Sequence, residues 1–487
     1  MGSDNSHTSI NVESLETSLQ GELAPSSKEY CIYRVPKRLR QANERDYISQ
    51  LVSILGPFHD GKEDLKAMEE TKLRYQQNIY QSNKNDYTPQ IVSIGPYHHG
   101  SEELKAMEVL KRRYLQHFLQ RTEVSLGGFL EYIKENEAKI RSSYAQIIEF
   151  DSQEFVRMIL VDAAFIIEVF LKFYFFDKSN AGDPLFDKPW LIIDVKHDIF
   201  LLENQLPFFI LKGLFEKADL PLQSKRSTEK LSMIEITLEF CKYYWDFFGV
   251  LEENLDVMIY SEALHLVDFL RTFITPPGLE KEKRPETLTM PSVKKLYQAG
   301  VKFHPITSSK ISLFDIRFNK GVLEIPLIKI RPSMEILLKN LLAFEQCHCY
   351  DSLISDYVIV MSYLVDTGKD VDLLVEKKII EHRLRNNEAV STLFHNFIQG
   401  FRLDLEDFYF TSLVKNLDSY CNNPLHKWKA NLKQDYFKTP WASASVIAAV
   451  ILLVLTFIQT VCSILQVQPP QSNTPPPPPA NPGGNLI

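Results

Sequence analysis

The chain has 487 residues, of which 45% are hydrophobic and 24% are charged, which is typical of a globular protein with two or three domains by length. Its net charge of −8 is modest for this size and argues against general nucleic-acid binding, which usually needs a strongly basic face. Six cysteines are too sparse for a disulfide framework and indicate reduced thiols in a cytosolic domain.

A sequence repeat follows a polar N-terminus. Residues 1–29 lack the apolar core of a signal peptide, so we predict a disordered start. Residues 46–69, DYISQLVSILGPFHDGKEDLKAME, then recur as residues 86–108, DYTPQIVSIGPYHHGSEELKAME, with Leu55 as an extra residue in the first copy. Two copies are too few for a solenoid, so a local tandem duplication explains them. In each copy the branched apolar run predicts an extended buried segment, Gly-Pro predicts a turn, and the acidic run predicts the start of a helix.

Two histidine-containing clusters raise the question of a metal site. His98 and His99 follow the Gly-Pro turn of the second copy, and Cys347-His348-Cys349 lies in the second half of the chain. Adjacent residues rarely converge on one ion, and neither cluster has a partner pair at the usual ligand spacing. We therefore expect no metal and no other cofactor, and we keep His98 and His99 as candidate structural or recognition residues.

Residues 155–176 have the length of a membrane span but contain four charged residues. Among these, Glu168 and Lys172 are four positions apart and can pair on one helix face. Because charges at those depths are costly in lipid, we predict a nearly buried core helix here instead of a second span.

The stretch over residues 198–211 combines an apolar pattern with a polar run. Its apolar positions 201, 202, 206, 209 and 210 predict one face of a helix. The run Glu203-Asn204-Gln205 stands just before Pro207 and could form a functional site. Alternatively, these side chains bond adjoining backbone, since Pro207 removes a donor and neighbouring carbonyls then need partners. We favour the structural alternative and keep all four as candidate structural or recognition residues.

The remainder of the body predicts a loop, a hairpin and more helices. Residues 273–284 are rich in Pro, Gly and charge, which predicts a loop. Residues 313–330 alternate apolar and polar side chains around Asn319-Lys320-Gly321, which predicts a β-hairpin. Residues 333–350, 357–364 and 370–380 predict further helices of the same core.

A candidate membrane span lies near the C-terminus. From Trp441 through Leu453 to Leu465 the chain has no charged residue and is long enough to cross a bilayer as one helix, although a buried core helix is the alternative. Thr456 and Thr460 can bond back to helical carbonyls at little cost. Four lysines within residues 427–438 precede the span, and the Pro-rich tail, residues 466–487, has no Lys or Arg and predicts disorder. The positive-inside rule then predicts a cytosolic N-terminal domain with a single-pass anchor in the plasma membrane or an endomembrane.

The predicted fold class is mainly α. It comprises a large helical domain over residues 30–440 with a small β-hairpin element, followed by a transmembrane helix over residues 441–465. The chain contains no P-loop, dinucleotide-binding, Gly-x-Ser-x-Gly or His-Glu-x-x-His motif. Protein recognition or scaffolding at a lipid bilayer is therefore the leading hypothesis, with no nucleic-acid partner. A membrane-associated enzyme with an unrecognised active site is the alternative.

Several stretches together resemble one plant family. They include Ile-Tyr-Arg-Val-Pro at residues 32–36, Val-Ser-Ile-Gly-Pro-Tyr-His-His-Gly at 92–100, and residues 198–211, 344–348, 366–374 and 436–459. Over about residues 30–465 the chain resembles the plant domain of unknown function 247 family. The resemblance implies a helical body with a C-terminal span and no assigned catalytic residues. Some grass members look like pollen-side determinants of self-incompatibility, which implies a recognition role.

The chain departs from the family at the repeat. The usual order has one Ile-Tyr-Arg-Val-Pro followed by one Val-Ser-Ile-Gly-Pro-Tyr-His-His-Gly, whereas here a variant first copy stands between them. The resemblance leaves open which of the two copies docks on the core.

Overall fold

The computed structural model describes residues 31–35, 86–175, 183–226, 228–244, 248, 262–276, 278–284, 288–307, 312–349, 351–398, 407–424 and 440–466. The polar N-terminus, the first copy of the repeat, the lysines before the predicted span and the Pro-rich tail from residue 467 lie outside these ranges. The chain divides into two compact units, a body that ends at Cys421 and a C-terminal unit that contains the last helix.

Fifteen α-helices make up most of the part of the chain that the structure describes, which agrees with the predicted mainly α class. In chain order they are α1 Lys105–Gln120, α2 Leu126–Glu135, α3 Glu137–Ser142, α4 Ser152–Tyr174, α5 Pro189–Ile199, α6 Phe208–Ala218, α7 Met233–Cys241, α8 Leu266–Ile274, α9 Val293–Gln298, α10 Pro332–His348, α11 Leu353–Leu364, α12 Gly368–Glu376, α13 Asn387–Ile398, α14 Thr411–Asn422 and α15 Pro440–Gln466. The 3₁₀ turn Glu102–Leu104 leads into α1, so the acidic run of the second copy starts a helix as predicted.

Helix α4 is the central element of the N-terminal half of the body. Asp151 caps it by accepting a hydrogen bond from the Glu154 N–H, and α1, α2, α6 and α7 pack around it. Almost its whole length is buried, which confirms the predicted core helix. The charges expected to pair along one face are held by other elements. Glu168 Oε1 lies 2.7 Å from Arg121 Nε, and Lys172 Nζ lies 3.2 Å from an Asp183 carboxylate oxygen.

Short strands form three small sheets within the described ranges. The strands are β1 Glu282–Lys283, β2 Lys302–Ile306, β3 Arg317–Asn319, β4 Val322–Pro326, β5 Ile328–Ile330, β6 Ile380–His382 and β7 Asp407–Phe408. Strands β3 and β4 form the predicted hairpin. Its two turn residues, Lys320 and Gly321, have φ angles of 47° and 80°, as the right-handed twist of a two-residue hairpin requires. The sequence did not predict the parallel pairing of β2 with β4 and of β5 with β6, or the antiparallel pair β1 and β7.

Two predicted helices are shorter than the sequence pattern indicates. The prediction of one helical face over residues 198–211 is wrong. Helix α5 ends at Ile199, α6 begins at Phe208, and a turn over residues 200–207 separates them. Pro207 cannot supply the N–H that a continuous helix would need. The helix over residues 370–380 ends at Glu376, because Lys378 adopts a left-handed φ of 59° before the chain enters β6.

In the described residues of the C-terminal unit, helix α15 spans 27 residues. Among the described residues it is the one helix long and apolar enough to cross a membrane, and the side chain of Leu453 within it is 70% exposed. Thr456 donates to the Leu452 carbonyl and Thr460 to the Thr456 carbonyl, each at 2.8 Å, as the sequence predicted. The candidate span therefore exists as a single helix whose polar side chains are partly satisfied by its own backbone.

Candidate functional site

Two backbone segments that lie outside helices and sheets meet at the turn between α5 and α6. The opening segment, residues 31–35, carries most of the Ile-Tyr-Arg-Val-Pro motif, and the motif segment, residues 86–100, belongs to the second copy of the repeat. We name the side chains that receive these segments the docking cleft. Its members are each at most 2% exposed, and they are Asp162, Asp198, Glu203, Asn204 and Gln205.

Asp198, at the end of α5, holds the start of the motif segment. Its two carboxylate oxygens accept the N–H groups of Gln90, Ile91 and Val92 at 2.9, 2.6 and 2.8 Å. Burial raises the pKa of this carboxyl to about 6, although the three N–H donors favour its charged form. One side chain thus satisfies three consecutive backbone donors that would otherwise be buried without partners.

Asn204 hydrogen-bonds the motif segment two residues further along, at Ile94. Its side-chain oxygen accepts the Ile94 N–H at 2.6 Å, and its amide nitrogen donates to the carbonyls of Val92 and Asp198, each at 2.9 Å. An amide can donate and accept at once, so it pairs with an extended backbone much as a neighbouring β-strand would. Neither Asp nor Leu at this position could make all three bonds.

A buried ion pair holds the middle of the motif segment. Lys111 of α1 lies 2.6 Å from Asp162 of α4, pairs with Glu108, and donates to the Ser93 carbonyl at 2.9 Å. Asp162 also accepts the Gly95 N–H at 2.8 Å. Burial lowers the pKa of Lys111, but the two neighbouring carboxylates outweigh burial and raise the pKa overall. The ammonium is therefore charged and links two helices to the motif segment.

Glu203 receives the opening segment. One of its carboxylate oxygens accepts the Val35 N–H at 2.5 Å, and the other lies 3.5 Å from His98 Nε2. The opening and motif segments also contact each other directly. Arg34 donates to the Tyr97 carbonyl at 2.8 Å, and the Tyr97 hydroxyl donates to the Ile32 carbonyl at 3.2 Å.

Gln205 bonds the turn to itself and to the start of α8. Its amide nitrogen donates to the carbonyls of Ile199 and Leu201 at 2.7 Å, and its side-chain oxygen accepts the Val267 N–H at 3.3 Å. Pro207 occupies the N-cap position of α6, makes no side-chain cap bond there and has no N–H that would need a partner. The structure thus places the polar run and Pro207 where they satisfy backbone groups around a break between two helices.

Three further residues complete the cleft, and the sequence did not single them out. Asn340 of α10 accepts the Leu202 N–H at 2.8 Å and donates to the Asp86 carbonyl at 2.9 Å. Lys339 lies 2.6 Å from the Asp86 carboxylate, and His265 Nε2 lies 3.0 Å from the Cys31 carbonyl oxygen. Two of them could have been found from the sequence, because Lys339-Asn340 interrupts the otherwise apolar stretch Leu337–Leu342, and buried polar residues need partners.

The two histidine-containing clusters have separate roles. His98 faces Glu203, whereas the ring of His99 lies edge-on to Phe150 with 5.5 Å between ring centroids. His348 Nδ1 lies 2.6 Å from the Tyr33 hydroxyl, and burial raises the pKa of the neighbouring Cys349 thiol to about 12. Within the described ranges no three His, Cys, Asp or Glu side chains come together in a way that could hold a metal ion.

Comparison with known proteins gives a consistent assignment. The sequence model of DUF247, described as a plant protein of unknown function, matches residues 32–86 and again residues 74–455, so it meets the repeated region twice. The UPF0481 protein At3g47200 of Arabidopsis thaliana is 27% identical, with 89% of this chain and 86% of the relative aligned. A second UPF0481 protein of Arabidopsis thaliana, At3g02645, is 24% identical over 92% of this chain and 93% of its own length. Among solved structures none matches the chain.

Proposed function

Because the chain belongs to the DUF247 family of plant proteins, whose description assigns no activity, we propose that it is a membrane-anchored recognition or scaffold protein that binds another protein through its helical body. The observation that carries the proposal is α15. This helix is uncharged from Pro440 to Gln466, is long enough to cross the hydrocarbon core, and exposes its large apolar side chains. An exposed apolar surface of that length is stable in a bilayer and unstable in water.

The proposed orientation places the body in the cytosol. Four lysines within residues 427–438 precede the span, and the tail that follows it contains neither Lys nor Arg. The positive-inside rule assigns the lysine-bearing side to the cytosol. The described cysteines of the body form no disulfide with one another, which suits a reducing compartment. The host membrane would then be the plasma membrane or an endomembrane.

The cleft favours recognition over catalysis. The carboxylates and amides of the cleft, together with the Lys111 ammonium beside them, already bond backbone groups of the same chain. Surface residues are then the better candidates for contact with a partner. Trp190 and Ile193 lie one helical turn apart at the start of α5 and are 58% and 37% exposed. Tryptophan is one of the residues that most often anchor protein interfaces.

The anchor and its orientation are tested together. The full chain, tagged at each terminus, is expressed in plant cells, and sealed microsomes are washed with alkaline carbonate and then treated with protease. We expect the chain to remain in the carbonate-washed pellet, the N-terminal tag to be digested and the C-terminal tag to be protected. Release by carbonate would refute the span, and protection of the N-terminal tag would refute the cytosolic body.

The partner surface is tested by a matched pair of substitutions. Trp190→Ala removes the proposed anchor, whereas Tyr297→Ala removes an aromatic side chain that is 44% exposed on α9. Proximity labelling from the full-length chain in plant membranes should lose its most enriched proteins with Trp190→Ala and keep them with Tyr297→Ala. Equal enrichment in both variants would mean that the start of α5 is not the binding surface.

A further inference from the structure

The chain contains two copies of the repeat, and in the described residues the second copy occupies the docking cleft. The opening segment that reaches Glu203 comes from before the first copy, and the motif segment that reaches Asp198 and Asn204 comes from the second. A physical feature of the cleft must therefore select the second copy, although the first copy follows the opening segment more closely in sequence.

The tightest point of the docked segment is Gly95. Its φ is +71°, a left-handed conformation that L residues rarely adopt. A Cβ atom on this residue would stand 2.6 Å from the Gln205 carbonyl oxygen and 3.0 Å from the Tyr144 hydroxyl. Its N–H also donates to Asp162 at 2.8 Å, so the backbone cannot retreat without losing that bond. The cleft thus accepts only glycine at this position.

We propose that Leu55 makes the first copy a poor fit to the docking cleft, so that the second copy is the one that docks, and that deletion of residues 46–85 leaves the stability of the body unchanged. When Val52-Ser53-Ile54 is aligned with Val92-Ser93-Ile94, the next residue is leucine instead of glycine. Leucine at this point meets both the strained φ and the collision with the Gln205 carbonyl.

A shift of one residue does not rescue the first copy. It would bring Gly56 to the position of Gly95, but it would also place Ser53 where Val92 is fully buried. Ile54 would then replace Ser93, which is 2% exposed and whose hydroxyl lies 3.5 Å from Glu108. The shifted register would bury the Ser53 hydroxyl in an apolar position and force Ile54 into the space of a serine. The unshifted register would bring the Leu55 side chain against the Gln205 carbonyl.

The helical part of the first copy does not explain the exclusion. Lys111 and Tyr114, both fully buried in α1, have Lys72 and Tyr75 as counterparts in the first copy. The copies thus agree at these two buried positions of the helix. The extra residue before Gly-Pro is the difference that the geometry of the cleft penalises most.

The test uses the full chain in detergent micelles and thermal unfolding followed by circular dichroism. Gly95→Ala should lower the unfolding midpoint by about 5 °C or more, because it strains the backbone at a buried contact. The matched control Gly56→Ala, at the equivalent glycine of the first copy, should leave the midpoint within about 1 °C. Deletion of residues 46–85, which joins Arg45 to Asp86, should also keep the wild-type midpoint.

Deletion of Leu55 tests the proposed determinant itself. In the Gly95→Ala background this deletion turns the first copy into Val-Ser-Ile-Gly-Pro, and it should restore at least half of the lost midpoint. Absence of any recovery would overturn the role of Leu55. A Gly56→Ala loss equal to that of Gly95→Ala, or failure of the 46–85 deletion to fold, would show that the first copy is needed by the fold.

Discussion

Substitution of Asn204 distinguishes a role in stabilising the fold from a role in binding a partner protein. Asn204 is 1% exposed, and Asn204→Ala removes the partners of the Ile94 N–H and of the Val92 carbonyl. The Asp198 carbonyl loses one bond but still accepts the Leu201 N–H at 3.3 Å. Each buried backbone group left without a partner costs about 1–3 kcal/mol, so the two together should lower the free energy of unfolding by about 2–6 kcal/mol. The midpoint of urea unfolding should drop by about 1 M or more.

The assay needs a matched asparagine and a readout of binding. Asn136 makes one side-chain bond, to the Tyr132 carbonyl at 2.8 Å, in a partly buried position, so Asn136→Ala should lower the free energy of unfolding by only about 1 kcal/mol. Partner labelling by Asn204→Ala should decline only in proportion to the unfolded fraction. An Asn204→Ala chain with wild-type stability and lost labelling would refute the fastening role and make the polar run a recognition site.

Three further predictions follow from buried charge and from the span. Lys111→Met leaves the carboxylate beside it buried and unpaired, so urea unfolding should show a loss of about 3–5 kcal/mol. Burial raises the pKa of Glu345 and of Asp356 to about 7, so the folded chain holds these two protons more tightly than the unfolded chain does. Their contribution to the free energy of unfolding is therefore full below about pH 4 and is lost as pH rises to about 7. Glu345→Gln should accordingly reduce the loss of stability between urea titrations at pH 5 and pH 8. Leu453→Arg should release the chain from carbonate-washed membranes, whereas Thr456→Ala should leave it membrane-bound.

Local signals in the sequence predicted the elements whose partners lie nearby. The turn residues Lys320 and Gly321 predicted the hairpin, and the charges within α4 predicted a core helix instead of a span. The helix boundary at residues 200–207 escaped prediction, because apolar periodicity continues through it and only Pro207 marks the break. Nothing near Asn340 in sequence could show that it bonds Leu202, which lies 138 residues away. Parallel strand pairs were missed for the same reason, since their registers are set by distant contacts.

The geometry of the cleft changes where functional residues should be sought. Extended segments carry N–H and C=O groups that need partners when buried, and here side chains supply those partners where a sheet would supply strands. Such fastening demands particular residue types, such as the carboxylate of Asp198 and the amide of Asn204, because only they offer the required donors and acceptors. The sequence motifs that identify the family therefore supply hydrogen bonds that hold the body together, and they do not by themselves indicate a catalytic site. Under the proposed recognition function, contact with a partner is therefore sought on exposed elements such as the start of α5.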